Sequence, residues 1–261
     1  MNYTLKSWLI AGALILSVTS CATFKSTPDP SNINALVKDM PMQSTEAQYA
    51  FGEAVFAQGP EAITAICDKL VPLGTGNDTK ARFALSGLAK HANRPHAGRD
   101  QKAFANTIIE ALCNATDPEV KSFLIRQLQV AGKNESVETL SGYLSNETLS
   151  SPATQALQAI GTRKATDAIH AAVLTPTSDA QLITLMKALA ELQHAPAQSV
   201  FEQHATHSNR DVRFTALLGL AKLARPESET TLKAATQSGT DYDKIKANAL
   251  YGLYTRKQVK R

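Results

Sequence analysis

The sequence predicts an all-α fold, an α-solenoid of about six stacked antiparallel helix pairs, and three observations predict it. An apolar pair three residues apart, with a small residue just before its second member, recurs about every 30 residues from Leu85 to Leu253. Helix-start residues stand ahead of several of these pairs, and Gly- or Pro-bearing turns follow them. Strand signals are missing: aromatics make up only 6% of the chain, and no run of β-branched residues alternates with polar ones.

The repeat can be followed in order. Gly52 to Val55 reads as a degraded first copy, and then come Leu85/Gly87/Leu88, Ile125/Gln127/Leu128, Leu157/Ala159/Ile160, Met186/Ala188/Leu189, Leu217/Gly219/Leu220 and Leu250/Gly252/Leu253. The intervals are 40, 32, 29, 31 and 33 residues. Residues i and i+3 share one helix face, so each pair marks an apolar stripe. A Gly or Ala beside it lets the next helix approach closely. One helix pair cannot bury its own stripe, whereas stacked pairs bury a continuous core. Asp117 before Pro118, and Ser151 before Pro152, read as N-caps followed by a first-turn proline, and Asp211 and Asp241 stand near two further starts. Turns are expected at Gly132-Lys133-Asn134, Gly161-Thr162-Arg163 and Arg225-Pro226-Glu227. Second helices are expected over Ser136 to Leu144, Ala165 to Leu174, Pro196 to Ala205 and Ser228 to Gln237.

Two segments carry the pattern most fully: Asp211-Val212-Arg213-Phe214-Thr215-Ala216-Leu217-Leu218-Gly219-Leu220 and Asp117-Pro118-Glu119-Val120-Lys121 with the apolar helix that follows. Both resemble the first helix of HEAT-like repeats of the phycobilisome-lyase type. The resemblance extends over about Thr45 to Lys257. It implies a solenoid over residues 45–261 and a scaffold for protein contacts. A TPR-like array is the alternative, but its spacing of 34 residues and its Trp/Tyr/Pro marks are missing.

Two departures stand out. The interval after Leu88 is about eight residues too long, and the excess is assigned to an enlarged loop from His91 to Asp100. The last unit has a first helix but no second helix after Tyr254. An uncapped solenoid end exposes apolar surface, which Tyr242, Tyr251 and Tyr254 or another chain could cover.

The N-terminus reads as a processing signal. Lys6 supplies a positive charge, and Trp8 to Val18 is an apolar run of about eleven residues broken only by Ser17. That is well short of the roughly twenty residues a membrane-spanning helix needs. Val18-Thr19-Ser20-Cys21 resembles the bacterial lipobox. The resemblance implies a signal peptide over 1–20, removed after Ser20, and lipidation of Cys21. Ala22, rather than Asp, after the cysteine favours the outer membrane by the sorting rule of enteric bacteria. Cleavage near Ala22 by an ordinary secretory route is the alternative. Residues 21–44, with Pro28, Pro30 and Pro41 among small polar residues, read as a flexible tether. Ile33 to Lys38 is its one stretch with room for a helical turn.

The net charge of +4 is spread thinly, with acids among the bases. This is not the basic stripe of a nucleic-acid binder. The densest basic run, Arg256, Lys257, Lys260 and Arg261, suits a helix C-terminus. An exported chain can form disulfides, and Cys67 and Cys113 lie near the ends of neighbouring second helices. Stacked helices sit about 8–10 Å apart, farther than the roughly 7 Å limit for bridged Cα atoms. A kink between the two helices would allow a Cys67–Cys113 bridge; two buried thiols are the alternative.

No catalytic constellation emerges. HEAT-like metal hydroxylases rely on repeated His-Glu dipeptides, and this sequence contains none. Similarity to bilin lyases carries over no catalytic residue. His91 with His96, and His204 with His207, lack the third and fourth groups a metal needs. Leu73-Gly74-Thr75-Gly76-Asn77 follows a helix and lacks the P-loop lysine, so it reads as a turn. No metal and no cofactor are expected. The expectation is a non-enzymatic scaffold, anchored to a membrane of the bacterial envelope by Cys21, that binds a protein partner and no nucleic acid. Its second helices carry Glu138, Tyr143, His170, Gln203 and Lys233. The alternatives are a degenerate subunit that anchors an envelope enzyme, and a glycan-binding module.

Overall fold

A computed structural model describes residues 30–259, so the expected signal peptide over 1–20, Cys21, Lys260 and Arg261 lie outside the described residues. A helix α1 (Pro30–Val37) leads into six helix pairs. They are α2 (Thr45–Gln58) with α3 (Pro60–Cys67), α4 (Thr79–Ala92) with α5 (Gly98–Asn114), and α6 (Pro118–Ala131) with α7 (Val137–Ser141). Then come α8 (Ser150–Ile160) with α9 (Arg163–Val173), α10 (Asp179–Glu191) with α11 (Gln198–His204), and α12 (Arg210–Leu223) with α13 (Glu229–Ala235). A last helix, α14 (Asp241–Val259), packs on α12 and α13. Each even-numbered helix packs on the next even-numbered one along the array, as α2 does on α4 and α12 on α14. One apolar core runs the whole length. Among the described residues there is no strand, and the predicted α-solenoid holds.

The repeat pattern explains the packing. Leu85, Leu88, Ile125, Leu128, Leu157, Met186, Leu189 and Leu220 are all buried to within 1% of complete. The small residues mark close approaches. A Cβ added at Gly52 would come within 2.1 Å of the His91 ring, and one at Gly87 within 2.0 Å of the Gln48 amide. Gly52 and Val55 are themselves buried, so the weak first copy is a working one. Gln127 fits a small-residue position because its amide Nε2 turns back to donate to Phe123 O at 3.1 Å. Ala159 departs from the pattern and is exposed. Its helix stops one residue later at Gly161, whose left-handed φ of 61° ends α8 before a further turn can pack.

Helix starts follow local chemistry. Asp117 accepts from Glu119 N and Val120 N at 3.0 Å, as an N-cap before Pro118 should. Ser151 is not a cap: α8 begins at Ser150, and Asn146 Oδ1 instead accepts from Thr148 N at 3.0 Å and Leu149 N at 2.9 Å. In the Asp211 unit the cap is Asn209, with Asp211 in the first turn. Helices α7, α11 and α13 are each preceded by a 3₁₀ turn, Asn134–Ser136, Ala195–Ala197 and Pro226–Ser228. Each turn ends on a small residue that is 0% exposed (Ser136, Ala197, Ser228).

Two expectations need correction. The tether does not extend to residue 44. Pro30 is the first residue of α1, and Ile33, Val37 and Met40 are 0%, 6% and 5% exposed against α3 and α4. A first-position proline costs a helix nothing, so its presence did not argue for extended chain there. Nor is there an enlarged loop from His91 to Asp100. Helix α4 runs through Ala92 and α5 begins at Gly98, leaving only five residues between them. The extra length goes into α5, whose 17 residues exceed the 5 to 11 of the later second helices.

The open end is partly self-covered. Tyr254 is 3% exposed and stacks on Tyr251 at 6.0 Å, and the Tyr251 hydroxyl donates to Glu229 Oε1 at 3.0 Å. Tyr242 and Ile245 remain 53% and 71% exposed. In the basic run, Lys257 Nζ donates to Lys222 O at 2.8 Å, and Gln258 Nε2 to Ala224 O. The tail thus satisfies carbonyls at the C-terminus of the neighbouring α12.

Candidate interaction surface

The second helices bury one stripe and expose the other. In α5 the exposed positions Arg99, Lys102, Asn106, Glu110 and Cys113 recur at helical spacing, opposite the buried Phe104, Ile108 and Leu112. The same division places Glu138 on α7, Asp167 on α9, Gln203 on α11 and Lys233 on α13 in solvent. Tyr143 and His170 are half-buried. Of the five second-helix residues named from sequence, three therefore face outward. The outward row mixes acids, bases and amides, with no excess of one sign.

His170 faces His194, with ring centroids 4.9 Å apart, and the Nε2 atom of each is buried without a hydrogen-bond partner. His204 and His207 lie 5.7 Å apart. His91 is buried and stacked on Phe56 at 5.3 Å, while His96 sits exposed in the turn before α5. No group of three or more His, Cys, Asp or Glu is placed to hold a metal ion among the described residues. The segment Leu73 to Asn77 is an exposed turn between α3 and α4.

Three of these imidazoles titrate low. Burial comes first at His91, with the Arg94 charge adding to it and Asp100 and Glu53 opposing. Burial also leads at His194, supported by His170 and Arg163 against Asp167, and at His204, supported by His207 against Asp179. A histidine with a depressed folded-state pKa binds its proton more readily in the unfolded chain. Its contribution is fully present above about 6.5, and is lost as pH falls through the folded-state value. The thermal midpoint is therefore expected to fall between pH 7 and pH 5. His194→Gln should flatten that slope, and an unchanged slope would show that the His170–His194 contact carries none of it.

Cys67 and Cys113 are both free thiols, so the bridge carried from sequence is not formed. Their surroundings differ. Cys67 is 7% exposed at the end of α3, and burial, aided by the Asp68 charge, pushes its thiol up to about 12. Cys113 lies in the exposed stripe of α5. The thiolate is the nucleophile, so iodoacetamide at pH 8 is expected to label Cys113 in the native protein and Cys67 only after unfolding. Equal labelling rates would contradict that burial.

Asp243 gathers the last junction. Its carboxylate accepts from Thr240 N at 3.0 Å and Thr240 Oγ1 at 2.8 Å, and lies 3.0 Å from Arg210 Nε and 3.7 Å from an Arg213 guanidinium nitrogen. The Thr240 hydrogen bonds hold its pKa below the ordinary carboxylate value, and the two arginines reinforce them. No helix among the described residues is long and apolar enough to cross a membrane.

No family model and no curated protein matches this chain. Among solved structures, it is similar to an archaeal HEAT-like repeats protein from Thermococcus onnurineus: 14% identity, 87% of this chain, 97% of that one, TM-score 0.49. It is also similar to the complex of CpcE and CpcF of phycocyanin lyase from Nostoc sp., at 15% identity over 96% of this chain and 99% of that one, with a TM-score of 0.41. A third is human deoxyhypusine hydroxylase, at 16% identity over 87% and 97% of the two chains, with a TM-score of 0.36. The α-solenoid assignment rests on the helix pairs and core of this chain.

Proposed function

We propose that this chain is a non-catalytic adaptor of the bacterial envelope, held to a membrane by acyl groups on Cys21 and binding a protein partner along its second-helix row. One observation carries the scaffold part. The outward positions of α5, α7, α9, α11 and α13 are polar and of mixed charge, while their inward positions close a single core. A surface of this kind, repeated along an extended array, offers many small polar contacts to a partner rather than one deep site. The anchor rests on sequence: an eleven-residue apolar run, then Val18-Thr19-Ser20-Cys21. Several acyl chains, each contributing about 0.8 kcal/mol per buried CH₂, hold a protein to a bilayer where one chain would be marginal. Ala22 favours the outer membrane as the destination.

Intact-mass analysis of the protein from its native host, after crosslinking and affinity purification, tests both parts. The expected species starts at an acylated Cys21 and carries a stoichiometric crosslinked protein. Cys21→Ser should abolish acylation and release the chain from the membrane fraction. An unacylated chain that begins beyond Cys21 would remove the anchor, and acylation without a crosslinked protein would remove the adaptor role.

A further inference from the structure

A cavity of about 520 Å³ opens between the start of α2 and the end of α4. Its chemistry is one-sided. The walls include Ser44, Gln48, Tyr49, Lys90, His91 and Arg94, and no Asp or Glu lines it. Lys90 is exposed and makes no ion pair among the described residues. Arg94 donates through Nε to His91 O at 2.8 Å and sits 5.5 Å above the Tyr49 ring. Its nearest acid, Asp100, is 3.6 Å away, a looser contact than a hydrogen-bonded pair.

Two lining side chains carry buried polar atoms with no partner, Gln48 Nε2 and His91 Nδ1. Both are donors. The Arg94 guanidinium lies 2.5 Å from His91 Nε2, and since arginine can only donate, Nε2 accepts and the imidazole proton sits on Nδ1. His91 is 4% exposed and its Nδ1 packs against Gly52 of α2, so at the cavity the imidazole acts through Nε2, which holds the Arg94 guanidinium. Buried donors left without acceptors are costly. An ammonium, a guanidinium and an amide around one cavity without an acid call for a ligand rich in acceptors and negatively charged. Lys90 supplies a point charge and Arg94 a planar fork, the two ways proteins hold phosphate.

We propose that the α2–α4 cavity binds the phosphate group of a small ligand, with Lys90, Arg94 and Gln48 as its donors. Two sources share that chemistry, a soluble phosphate ester and the headgroup of an anionic phospholipid. The site does not depend on the anchor.

The test uses the full chain carrying Cys21→Ser, so that no acyl group contributes. Binding of inorganic phosphate is followed by calorimetry against chloride at equal ionic strength. Retention on phosphatidylglycerol vesicles is compared with phosphatidylcholine vesicles. Lys90→Glu, at an exposed position, and Gln48→Ala are run beside it, with circular dichroism to confirm that both fold. Loss of a charge-assisted contact should weaken binding about tenfold or more. Phosphate binding weakened to that degree, with vesicle retention indifferent to Lys90→Glu, supports the site and assigns a soluble ester. Vesicle retention specific to phosphatidylglycerol and lowered by Lys90→Glu supports it and assigns a headgroup. Absence of variant-sensitive binding in both arms overturns it.

Discussion

Phe201→Ala is expected to be the most damaging single change in the array, at about 3–5 kcal/mol. Phe201 is 0% exposed and projects from α11 onto α12. Its ring occupies the space that a side chain at position 219 would fill, because a Cβ built on Gly219 comes within 2.5 Å of two ring carbons. The glycine and the phenylalanine are thus one feature. Gly219→Ala in the native background should cost about 1–3 kcal/mol through overpacking, although alanine is the better helix former by about 1 kcal/mol. With Phe201 already truncated, the clash is gone and the propensity gain remains, so Gly219→Ala should then be neutral or stabilising. A double-mutant cycle by urea unfolding measures that change of sign. Repeat arrays unfold in parts, so hydrogen exchange should place the loss in α11 and α12. Additive costs would mean that the ring and the glycine do not oppose each other.

The Phe201–Gly219 contact also shows what the sequence discloses. The apolar pair and its small residue could be read from Leu217, Gly219 and Leu220 alone, because a helical stripe is a local property. That Gly219 answers to Phe201 could not, because the partner lies on another helix and its approach depends on the stack. Gln181 makes the same point. Ser178-x-x-Gln181 has the spacing of a capping box, and Ser178 Oγ does accept from Gln181 N at 3.2 Å. Yet the Gln181 amide reaches across to Leu144 O in the segment between α7 and α8, and its Oε1 accepts from Thr177 N at 2.5 Å. The spacing marks the helix start but says nothing of this bond between repeats. The tether failed for a related reason: Pro30 reads as a helix breaker, but a proline in the first turn breaks nothing. The loop rested on interval length, which does not say whether extra residues join a loop or lengthen a helix such as α5. The phosphate-site candidates were visible only in part: His91 drew notice as a metal ligand, whereas Gln48 and Lys90 carry no mark until α2 and α4 are brought together.

Arg82→Ala is expected to cost about 2–3 kcal/mol, most of it at the junction between the second and third helix pairs. From α4, the Arg82 guanidinium donates at 2.8 and 2.7 Å to the two carboxylate oxygens of Glu119 at the start of α6. Its Nε donates to Asp78 Oδ2 at 2.9 Å, and the group lies 4.8 Å over the Phe123 ring. Asp78 Oδ2 in turn accepts from Val71 N at 3.1 Å, so the connection continues into the turn after α3. Only 21% of the Arg82 side chain and 12% of the Asp78 side chain are exposed, so removing the arginine strands Asp78, whereas Glu119, 37% exposed, regains water. Arg82→Lys keeps the charge but cannot bridge both Glu119 oxygens while bonding Asp78. It should therefore recover less than half of the loss, whereas an isolated surface ion pair would be restored almost fully by lysine. Glu119→Gln in the Arg82→Ala background should add little, because its partner has already gone. Chemical denaturation of the three variants beside the native chain separates the cases. Full rescue by lysine would reduce this junction to simple charge attraction, and failure of rescue would make bidentate geometry the feature that fixes the stacking of α6 on α4.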